Sequence, residues 1–350
     1  MGGVEAAAAG PVALASGGNL KVEGRRRWLG GLAPGERGLG RAAGAQGSAL
    51  DQQDLELKKA WRQDRSAGAR GFALMASPQA PLRLATTPGW LADLAGAWIF
   101  YSVLPLPPWP RPRFERIARF APWIGALLGA IEALAWRLGQ GHLPLLAQVA
   151  LVLALAIWLS GGLHLDGAMD TADGLAAGDR CLEAMRDSRV GASGVQALVL
   201  LLLLRAAALV TLAAAAPWAL VWASVWGRIA PLVAMGAFPY LRDNPGQGGS
   251  PDQDAGPGQG GSAGFHRRHW AGFGQELLPA LLLLGLLGPW SALAGLPWQG
   301  WLGLVPAVLV PWGLGRRLGG HSGDTYGACV EWTGSWTLLL IALALAVPGS

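Results

Sequence analysis

Long apolar runs separated by short polar segments are the dominant pattern of this 350-residue chain. A helix needs about 20 apolar residues to cross a bilayer, and about seven runs approach that length. They cover roughly 120–136, 143–159, 195–216, 218–240, 277–296, 301–314 and 336–347. A shorter run, 91–107, contains Asp93 and ends in prolines, which is typical of an interfacial segment. The pattern predicts an all-α fold, a multi-pass transmembrane helical bundle of about seven spans with polar cytoplasmic loops.

Basic residues are concentrated in alternate loops. If the arginine-rich loop 111–119 faces the cytoplasm, alternation of the spans puts loops 161–191, 241–275 and 316–331 on the same side. Those loops carry the other arginine clusters, whereas the opposite loops carry almost only Arg137. This asymmetry follows the positive-inside rule. It predicts a protein of the cell (inner or plasma) membrane, with the lipid bilayer as a partner and its polar loops in the cytoplasm.

The composition supports a membrane protein. Hydrophobic residues make up 52% of the chain, charged residues 14%, and the mean hydropathy is +0.35, whereas a soluble domain carries about 25% charged residues. Residues 1–74 hold 11 Lys/Arg and 7 Asp/Glu, so most of the net charge of +5 lies there. That distribution gives no reason to expect a nucleic-acid partner. Cys181 and Cys329 lack the spacing of a disulfide framework or a zinc site.

Two segments lack the composition of a packed fold. Residues 1–74 are rich in Gly, Ala and Arg, which predicts a disordered N-terminal extension. Met75 directly precedes the hydrophobic body and is an alternative initiator, with a targeting extension as the rival interpretation. Residues 242–264 form a Gly/Gln/Asp/Pro-rich insert, which predicts a flexible loop. The membrane-embedded domain is therefore expected to be 75–350.

Candidate chemistry is concentrated in the polar segment after the second predicted span. Asp166, Asp170 and Asp173 are spaced by four and three residues, so on a helix they lie on one face. Three adjacent carboxylates repel each other, and a divalent cation removes that repulsion. All-oxygen ligands favour Mg²⁺ or Mn²⁺ over zinc, and Mg²⁺ usually bridges carboxylates to substrate phosphates. The spacing predicts a magnesium site and transfer at a phosphate or diphosphate, and a solvated helix end in a loop is the alternative. His164 is a ligand, phosphate contact or base, or a structural histidine.

Three motifs carry a family resemblance. The run from His164 to Gly174 reads HLDGAMDTADG, Met185 to Gly194 reads MRDSRVGASG, and Gly319 to Glu331 reads GGHSGDTYGACVE. They are similar to HLDGxxDTxDG, MRDSxxGxxG and GGxTGDTxGAxxE, the motifs of the cobalamin synthase family, whose activity is adenosylcobinamide-GDP ribazoletransferase. The resemblance covers about residues 90–348. Ala168, Ser322 and Tyr326 depart from it conservatively.

The resemblance implies the last assembly step of the cobalamin nucleotide loop. An α-ribazole or its 5′-phosphate would attack the diphosphate of adenosylcobinamide-GDP, GMP would leave, and Mg²⁺ would be required. It makes these residues site candidates: His164, Asp166, Asp170, Asp173, Arg186 and Asp187 as catalytic, the three aspartates also as metal ligands, and Ser188, Asp324 and Thr325 as substrate contacts.

Two of these interpretations have structural alternatives. Arg186 and Asp187 either bind substrate phosphate and metal, respectively, or pair with each other at a helix start. Arg228 lies in the middle of a predicted span, where an arginine is costly and indicates function. It is a further substrate-binding candidate, and a local ion pair or snorkelling is the alternative.

Two other classes of protein also place carboxylates at a membrane helix. A CDP-alcohol phosphotransferase would show Ala-Arg shortly after the first Asp-Gly, but Ala168-Met169-Asp170 stands there. An ion-coupled transporter would show inverted repeats and mid-span acids. No internal repeat is evident, so the transferase remains the leading interpretation. The oligomeric state is not indicated by the sequence.

Overall fold

The computed structural model describes residues 87–107, 110–241, 269–293 and 298–346. Within these ranges the chain is helical, and an isolated β-bridge joins Tyr240 to His321, which confirms the all-α prediction. The helices are α1 (Gly89–Tyr101), α2 (Ala121–Gly139), α3 (Leu145–Ser160), α4 (Leu163–Ala176), α5 (Cys181–Arg186), α6 (Ala192–Leu212), α7 (Ala216–Ala237), α8 (Phe273–Leu293), α9 (Leu304–Leu318) and α10 (Gly323–Ala346). The predicted extension 1–74, Met75 and the insert 242–264 lie outside the described residues.

Several helices have the length and composition of membrane spans. In the described ranges these are Ile117–Gly139, Ala192–Ala237, Phe273–Leu293 and Gly323–Ala346, four in all, or five if α3 and α4 form one bent span. This is fewer than seven because α3 and α9 have only 16 and 15 residues, and because α6 continues into α7. The membrane bundle is confirmed, and the count of seven stays a prediction.

The 46-residue stretch Ala192–Ala237 folds back on itself at Ala213, whose φ of 43° ends α6. Gly334 of α10 lies against both arms. A Cβ added to it would lie 3.6 Å from the Arg205 guanidinium of α6 and 3.4 Å from the Ala223 carbonyl oxygen of α7. A straight helix would separate residues 205 and 223 by about 27 Å. The chain therefore reverses direction at Ala213, and α6 and α7 both pack on α10, in agreement with the predicted spans 195–216 and 218–240.

The centre of the bundle is formed by α7 and α10. Helix α7 packs against α2, α9 and α10, and α10 also contacts α4 and α6. Trp222, Trp226 and Trp301 contact one another in this core, and the Trp226 Nε1–H donates to the Gly300 carbonyl at 2.8 Å. Leucines on the outer faces of α3, α6 and α8 are exposed. Lipid, unlike water, solvates such faces without a hydrophobic penalty.

The predicted basic loop 111–119 is tied to the bundle by ion pairs. Asp93 of α1 is fully buried and binds both Arg113 and Arg119. Arg116 reaches the buried Glu276 of α8 at 2.6 Å. A buried carboxylate requires such partners, so these arginines have a structural role besides any contribution to topology.

Three polar segments meet at one end of the bundle, as the alternation of spans predicts. The Leu241 N–H donates to the His321 carbonyl at 2.9 Å, and the His321 N–H donates to the Pro239 carbonyl at 3.0 Å. These bonds join the end of α7 to the start of α10. Helix α4 packs against the same part of α10, so the segments after α3, after α7 and before α10 lie together.

Asp93→Asn should destabilise the fold. The substitution removes the charge between Arg113 and Arg119, and breaking a buried ion pair costs about 3–5 kcal/mol. Because Arg113 is partly exposed, we expect a smaller loss of about 2 kcal/mol. Thermal unfolding in detergent measures it, with the exposed Asp179→Asn as a control for the same chemical change. Equal melting temperatures for the two variants would contradict this role of Asp93.

Candidate active site

A sharp bend separates the apolar helix α3 from the acidic helix α4. Gly161 and Gly162 both adopt left-handed backbone conformations, with φ of 62° and 69°, which glycine alone adopts at low cost. Their N–H groups close the end of α3 by donating to the Trp158 and Ile157 carbonyls, each at 3.0 Å. The helix axes differ by 91°. With three carboxylates in 14 residues, α4 is a polar helix that runs nearly perpendicular to α3.

The three predicted aspartates lie on one face of α4, as their spacing requires. Asp166 is exposed, whereas Asp170 and Asp173 are half-buried. The other side of α4 packs on α10 through two glycines. A Cβ on Gly167 would lie 2.7 Å from the Asp324 carbonyl oxygen, and a Cβ on Gly327 would lie 2.9 Å from the His164 carbonyl oxygen. Only a glycine contact allows the two backbones to approach this closely.

This close approach adds a fourth carboxylate to the acidic face. Burial, followed by the negative charges of Asp166, Asp324 and Asp173 in that order, raises the pKa of Asp170 to about 7. Asp324 therefore belongs to the acidic group, although it lies far away in the sequence. The carboxylates are crowded, but among the described residues no three or more His, Cys, Asp or Glu side chains form a preassembled metal site.

Asp173 is held by the backbone at the start of α6. Its two carboxylate oxygens accept hydrogen bonds from the N–H groups of Gly191 and Gly194, at 2.7 Å and 2.8 Å. A carboxylate at a helix N-terminus satisfies unpaired N–H groups and interacts favourably with the helix dipole. A Cβ on Gly191 would lie 2.3 Å from this carboxylate. Asp173 thus anchors α4 to α6, and its predicted role as a metal ligand stays a prediction.

A cavity of about 170 Å³ lies beside the acidic face. His164, Asp166, Arg228 and Asp324 line it, so the structure brings together predicted residues from three helices. His164 is buried and stacks on Tyr101, with ring centroids 6.0 Å apart. The His164 Nδ1 is buried without a hydrogen-bond partner. An unpaired ring nitrogen next to a cavity is available to a ligand.

Arg228 is buried in the wall of this cavity, with a relative exposure of 7%. Its Nη1 donates to the Ser224 carbonyl at 3.1 Å, and its buried Nε has no hydrogen-bond partner. The side chain therefore does not snorkel to the surface. Among the described residues, the Arg228 guanidinium also forms no direct ion pair. Neither snorkelling nor a local ion pair therefore accounts for Arg228 in that part of the chain.

Arg186, Asp187 and Ser188 lie at the end of α5, outside the cavity. Arg186 and Ser188 are exposed. Asp187 binds Arg189 rather than Arg186, with 2.6 Å between the Arg189 Nη2 and the Asp187 Oδ2. The side-chain hydrogen bonds from Arg189 lower the pKa of Asp187 to about 2. The predicted pairing of Arg186 with Asp187 is therefore not the one observed.

Thr325 is fully buried at the start of α10. Its Oγ1 accepts a hydrogen bond from the Ser322 N–H at 2.7 Å and lies 3.1 Å from the His321 Nδ1. The His321 Nε2 contacts the Pro311 carbonyl at 3.0 Å, so that nitrogen carries the proton. The structure places Thr325 in a helix-capping network, and its predicted contact with substrate stays a prediction.

Sequence reasoning missed a second polar cavity inside the bundle. Arg205, Glu132 and Glu331 line it together with Arg228, and its volume is about 50 Å³. Glu132, Arg205 and Arg228 each interrupt a predicted apolar run, which is the signal by which they can be recognised. Glu331 ends the motif that begins at Gly319. Arg205 contacts Glu331 directly at 2.6 Å.

The fold and the site together define a class: a polytopic helical membrane protein with an acidic, cavity-forming site at one end of its bundle. The family description "cobalamin-5-phosphate synthase" matches residues 93–342. The chain belongs to this family.

Curated relatives support the same assignment. A relative from Prochlorococcus marinus strain MIT 9303, named adenosylcobinamide-GDP ribazoletransferase, is 55% identical over 269 residues, which cover 74% of this chain and 98% of the relative. Relatives of the same name from Thermosynechococcus vestitus and Synechocystis sp. are 41% and 40% identical, covering 71% and 73% of this chain and 95% and 96% of their own. No solved structure matches. The family separates the chain from CDP-alcohol phosphotransferases and from transporters.

Gly167→Ala should disrupt the site. The added Cβ overlaps the Asp324 backbone, and overpacking of this kind costs about 1–3 kcal/mol. Because the strain separates the carboxylates, we expect activity to fall by about tenfold or more. Gly313→Ala in α9 is the matched control, since it places a Cβ in open space. Transferase assays of both purified variants test this, and equal activities would show that the helix contact does not position the acids.

Proposed function

We propose that this chain is an adenosylcobinamide-GDP ribazoletransferase, which joins α-ribazole or its 5′-phosphate to the cobinamide phosphate and releases GMP. The observation that carries the proposal is the acidic face of α4, joined by Asp324, next to a cavity that contains Arg228 and His164. Carboxylates, a buried arginine and an unpaired imidazole are the groups that exchange at a diphosphate requires. The family and the names of its relatives support the substrates.

The reaction replaces the phosphoanhydride bond of the diphosphate with a phosphoester bond. A hydroxyl oxygen of the ribazole forms a bond to the cobinamide-side phosphorus, and the bond from that phosphorus to the GMP oxygen breaks. The hydroxyl loses its proton, and GMP leaves with the bonding electrons. A cavity of about 170 Å³ is smaller than a pocket that encloses a drug-sized ligand. We infer that it admits the diphosphate while the corrin remains outside.

Asp166 and Asp170, with Asp324 beside them, fit a magnesium ion, because their donors are all carboxylate oxygens and their mutual repulsion favours a cation. Asp173 remains the third predicted ligand, since each of its oxygens keeps a lone pair beyond the observed hydrogen bond. When bound, Mg²⁺ would neutralise charge on the diphosphate. These carboxylates would hold the ion beside the cavity, and the ion would in turn orient the diphosphate.

Two further groups have roles that their positions favour. Arg228 offers unpaired N–H donors to a phosphate oxygen in the cavity. His164 lines the same cavity, where burial lowers the pKa of its imidazole to about 3, so the ring is neutral. It is the candidate acceptor of the hydroxyl proton once the anionic diphosphate beside it raises that pKa. Arg186 is exposed and lies outside this cavity, so it can contact only a part of the substrate that extends out of the cavity. The same holds for Asp187 and Ser188.

Release of GMP from adenosylcobinamide-GDP by the purified protein tests the proposed function. Asp166→Asn and Asp170→Asn should each lower kcat by on the order of a hundredfold and shift the rate-versus-Mg²⁺ curve to higher concentrations. Asp173→Asn should also lower the melting temperature, because an amide cannot accept both backbone N–H groups. Asp179→Asn is the control. Wild-type rates in both the Asp166 and Asp170 variants would exclude the metal assignment.

The membrane and its orientation form part of the proposal. The apolar helices support a bilayer-embedded protein, and the arginine-rich loops support a cytoplasmic site at the inner or plasma membrane. Water-soluble substrates would then reach the acidic face directly from the cytoplasm.

Native Cys181 is half-buried at the start of α5 and provides a topology probe. In sealed right-side-out cells it should resist a membrane-impermeant thiol reagent and react only after lysis. His142→Cys in a Cys181→Ser background places a thiol in the exposed turn between α2 and α3 and should react without lysis. The reverse pattern would put the site on the outer face.

A further inference from the structure

The inner cavity shares Arg228 with the site cavity. Four ionisable side chains from four helices surround it, namely Glu132 of α2, Arg205 of α6, Arg228 of α7 and Glu331 of α10. Charged groups inside a membrane bundle are costly, and they persist where they serve a function. Because Arg228 lines both cavities, charged groups in the inner cavity can influence the arginine that faces the site cavity.

The charges in the inner cavity divide into two unequal pairs. Glu331 and Arg205 contact each other at 2.6 Å, and the Arg205 Nε also donates to the Ser335 hydroxyl at 2.8 Å. That pair is complete. Glu132 is only 8% exposed, and in the described ranges no direct hydrogen-bond or ion-pair partner of its carboxylate occurs. Arg228 is the remaining cation that lines the same cavity.

Within the part of the chain that the structure describes, Arg228 has hydrogen-bond donors without partners, just as the Glu132 carboxylate has acceptors without partners. A guanidinium has five N–H donors, and the described contacts are one bond from Nη1 to the Ser224 carbonyl and an unpartnered Nε. A cavity of about 50 Å³ has room for several waters, since each needs roughly 10–15 Å³. Water can therefore connect the Glu132 carboxylate to the guanidinium without a direct contact.

Helix α2 also provides the space that the arginine occupies. A Cβ on Gly125 would lie 2.6 Å from the Arg228 Cδ and 2.5 Å from the Ser224 carbonyl oxygen. Gly125 and Glu132 are about two helical turns apart and lie on the same face of α2. One face of α2 thus supplies both the gap for the arginine stem and the opposite charge.

We propose that Glu132 is a positioning residue for Arg228. Its negative charge holds the guanidinium in the wall between the two cavities, so that unpaired N–H groups are presented to the anionic diphosphate of a substrate in the site cavity. Glu132 itself does not touch the substrate. The nature of that anion rests on the proposed function, whereas the coupling between Glu132 and Arg228 does not.

Steady-state kinetics with both substrates provide the first test. Glu132→Gln should raise the KM for adenosylcobinamide-GDP by about tenfold and leave the KM for α-ribazole unchanged, because only the former carries the diphosphate. Glu132→Asp retains the charge and should restore most of the affinity. Glu115→Gln, near the surface on the loop before α2, is the control. A rise in both KM values by the same factor would indicate a general structural role and overturn the proposal.

Stabilisation by GDP provides a second test that needs no turnover. GDP with Mg²⁺ should raise the melting temperature of the wild type, raise it less for Glu132→Gln, and raise it least for Arg228→Met. The double variant should match Arg228→Met, because the glutamate acts through the arginine. Additive losses, or full protection in Glu132→Gln, would refute the proposal.

The two tests separate this inference from the proposed function. A wild-type protein that releases no GMP, but in which GDP protection still depends on Glu132 through Arg228, would refute the transferase and retain the coupling. A protein that releases GMP, but in which GDP protection does not depend on Glu132, would support the transferase and refute the coupling. If Glu132→Gln does not fold, Glu132→Asp still decides: the proposal requires a KM for adenosylcobinamide-GDP between the wild-type value and that of Arg228→Met.

Discussion

The backbone contact between α4 and α10 is the constraint on which the site depends. Gly167 and Gly327 remove the side chains that would otherwise separate the two helices. Because the backbones approach so closely, Asp324 lies within the electrostatic field of Asp170, and the cavity forms between His164 and the start of α10. A larger residue at either glycine would separate the two halves of the acidic group even if every carboxylate were retained.

Electrostatic compensation organises the rest of the bundle. Asp93 and Glu276 are buried carboxylates held by arginines of the segment before α2, and Glu331 is held by Arg205. Among the arginines in the described part of the bundle, Arg228 has the least direct compensation, and it lines the site cavity. A buried cation that is not fully paired keeps donors available for an anion, which a complete salt bridge would not do.

The sequence predicts the local features of this site and not the long-range ones. Spacing alone places Asp166, Asp170 and Asp173 on one face of a helix, because helical periodicity is a local property. It does not show that Asp173 binds the start of α6, since that contact depends on the path of the chain after α5. The family motifs single out Asp324, but only packing shows that it joins the acidic face.

A hydrophobicity pattern also does not determine the number of membrane spans. Apolar runs locate the helices well, and the reversal of the chain at Ala213 follows the predicted division. Runs as short as α3 and α9, however, have the composition of a span and less than its usual length. Whether such a helix crosses the bilayer is decided by its neighbours, which a single sequence does not describe.

The paired glycines at the end of α3 have a consequence for how the protein tolerates different membranes. A helix that is shorter than the hydrocarbon layer responds by tilting less, by oligomerising or by thinning the lipid around it. Gly161 and Gly162 connect α3 to α4 without side chains that would stiffen the joint, whereas α4 is fixed to α10. We expect changes in the tilt of α3 with bilayer thickness to be taken up at this joint, so that the carboxylates keep their depth relative to the aqueous phase.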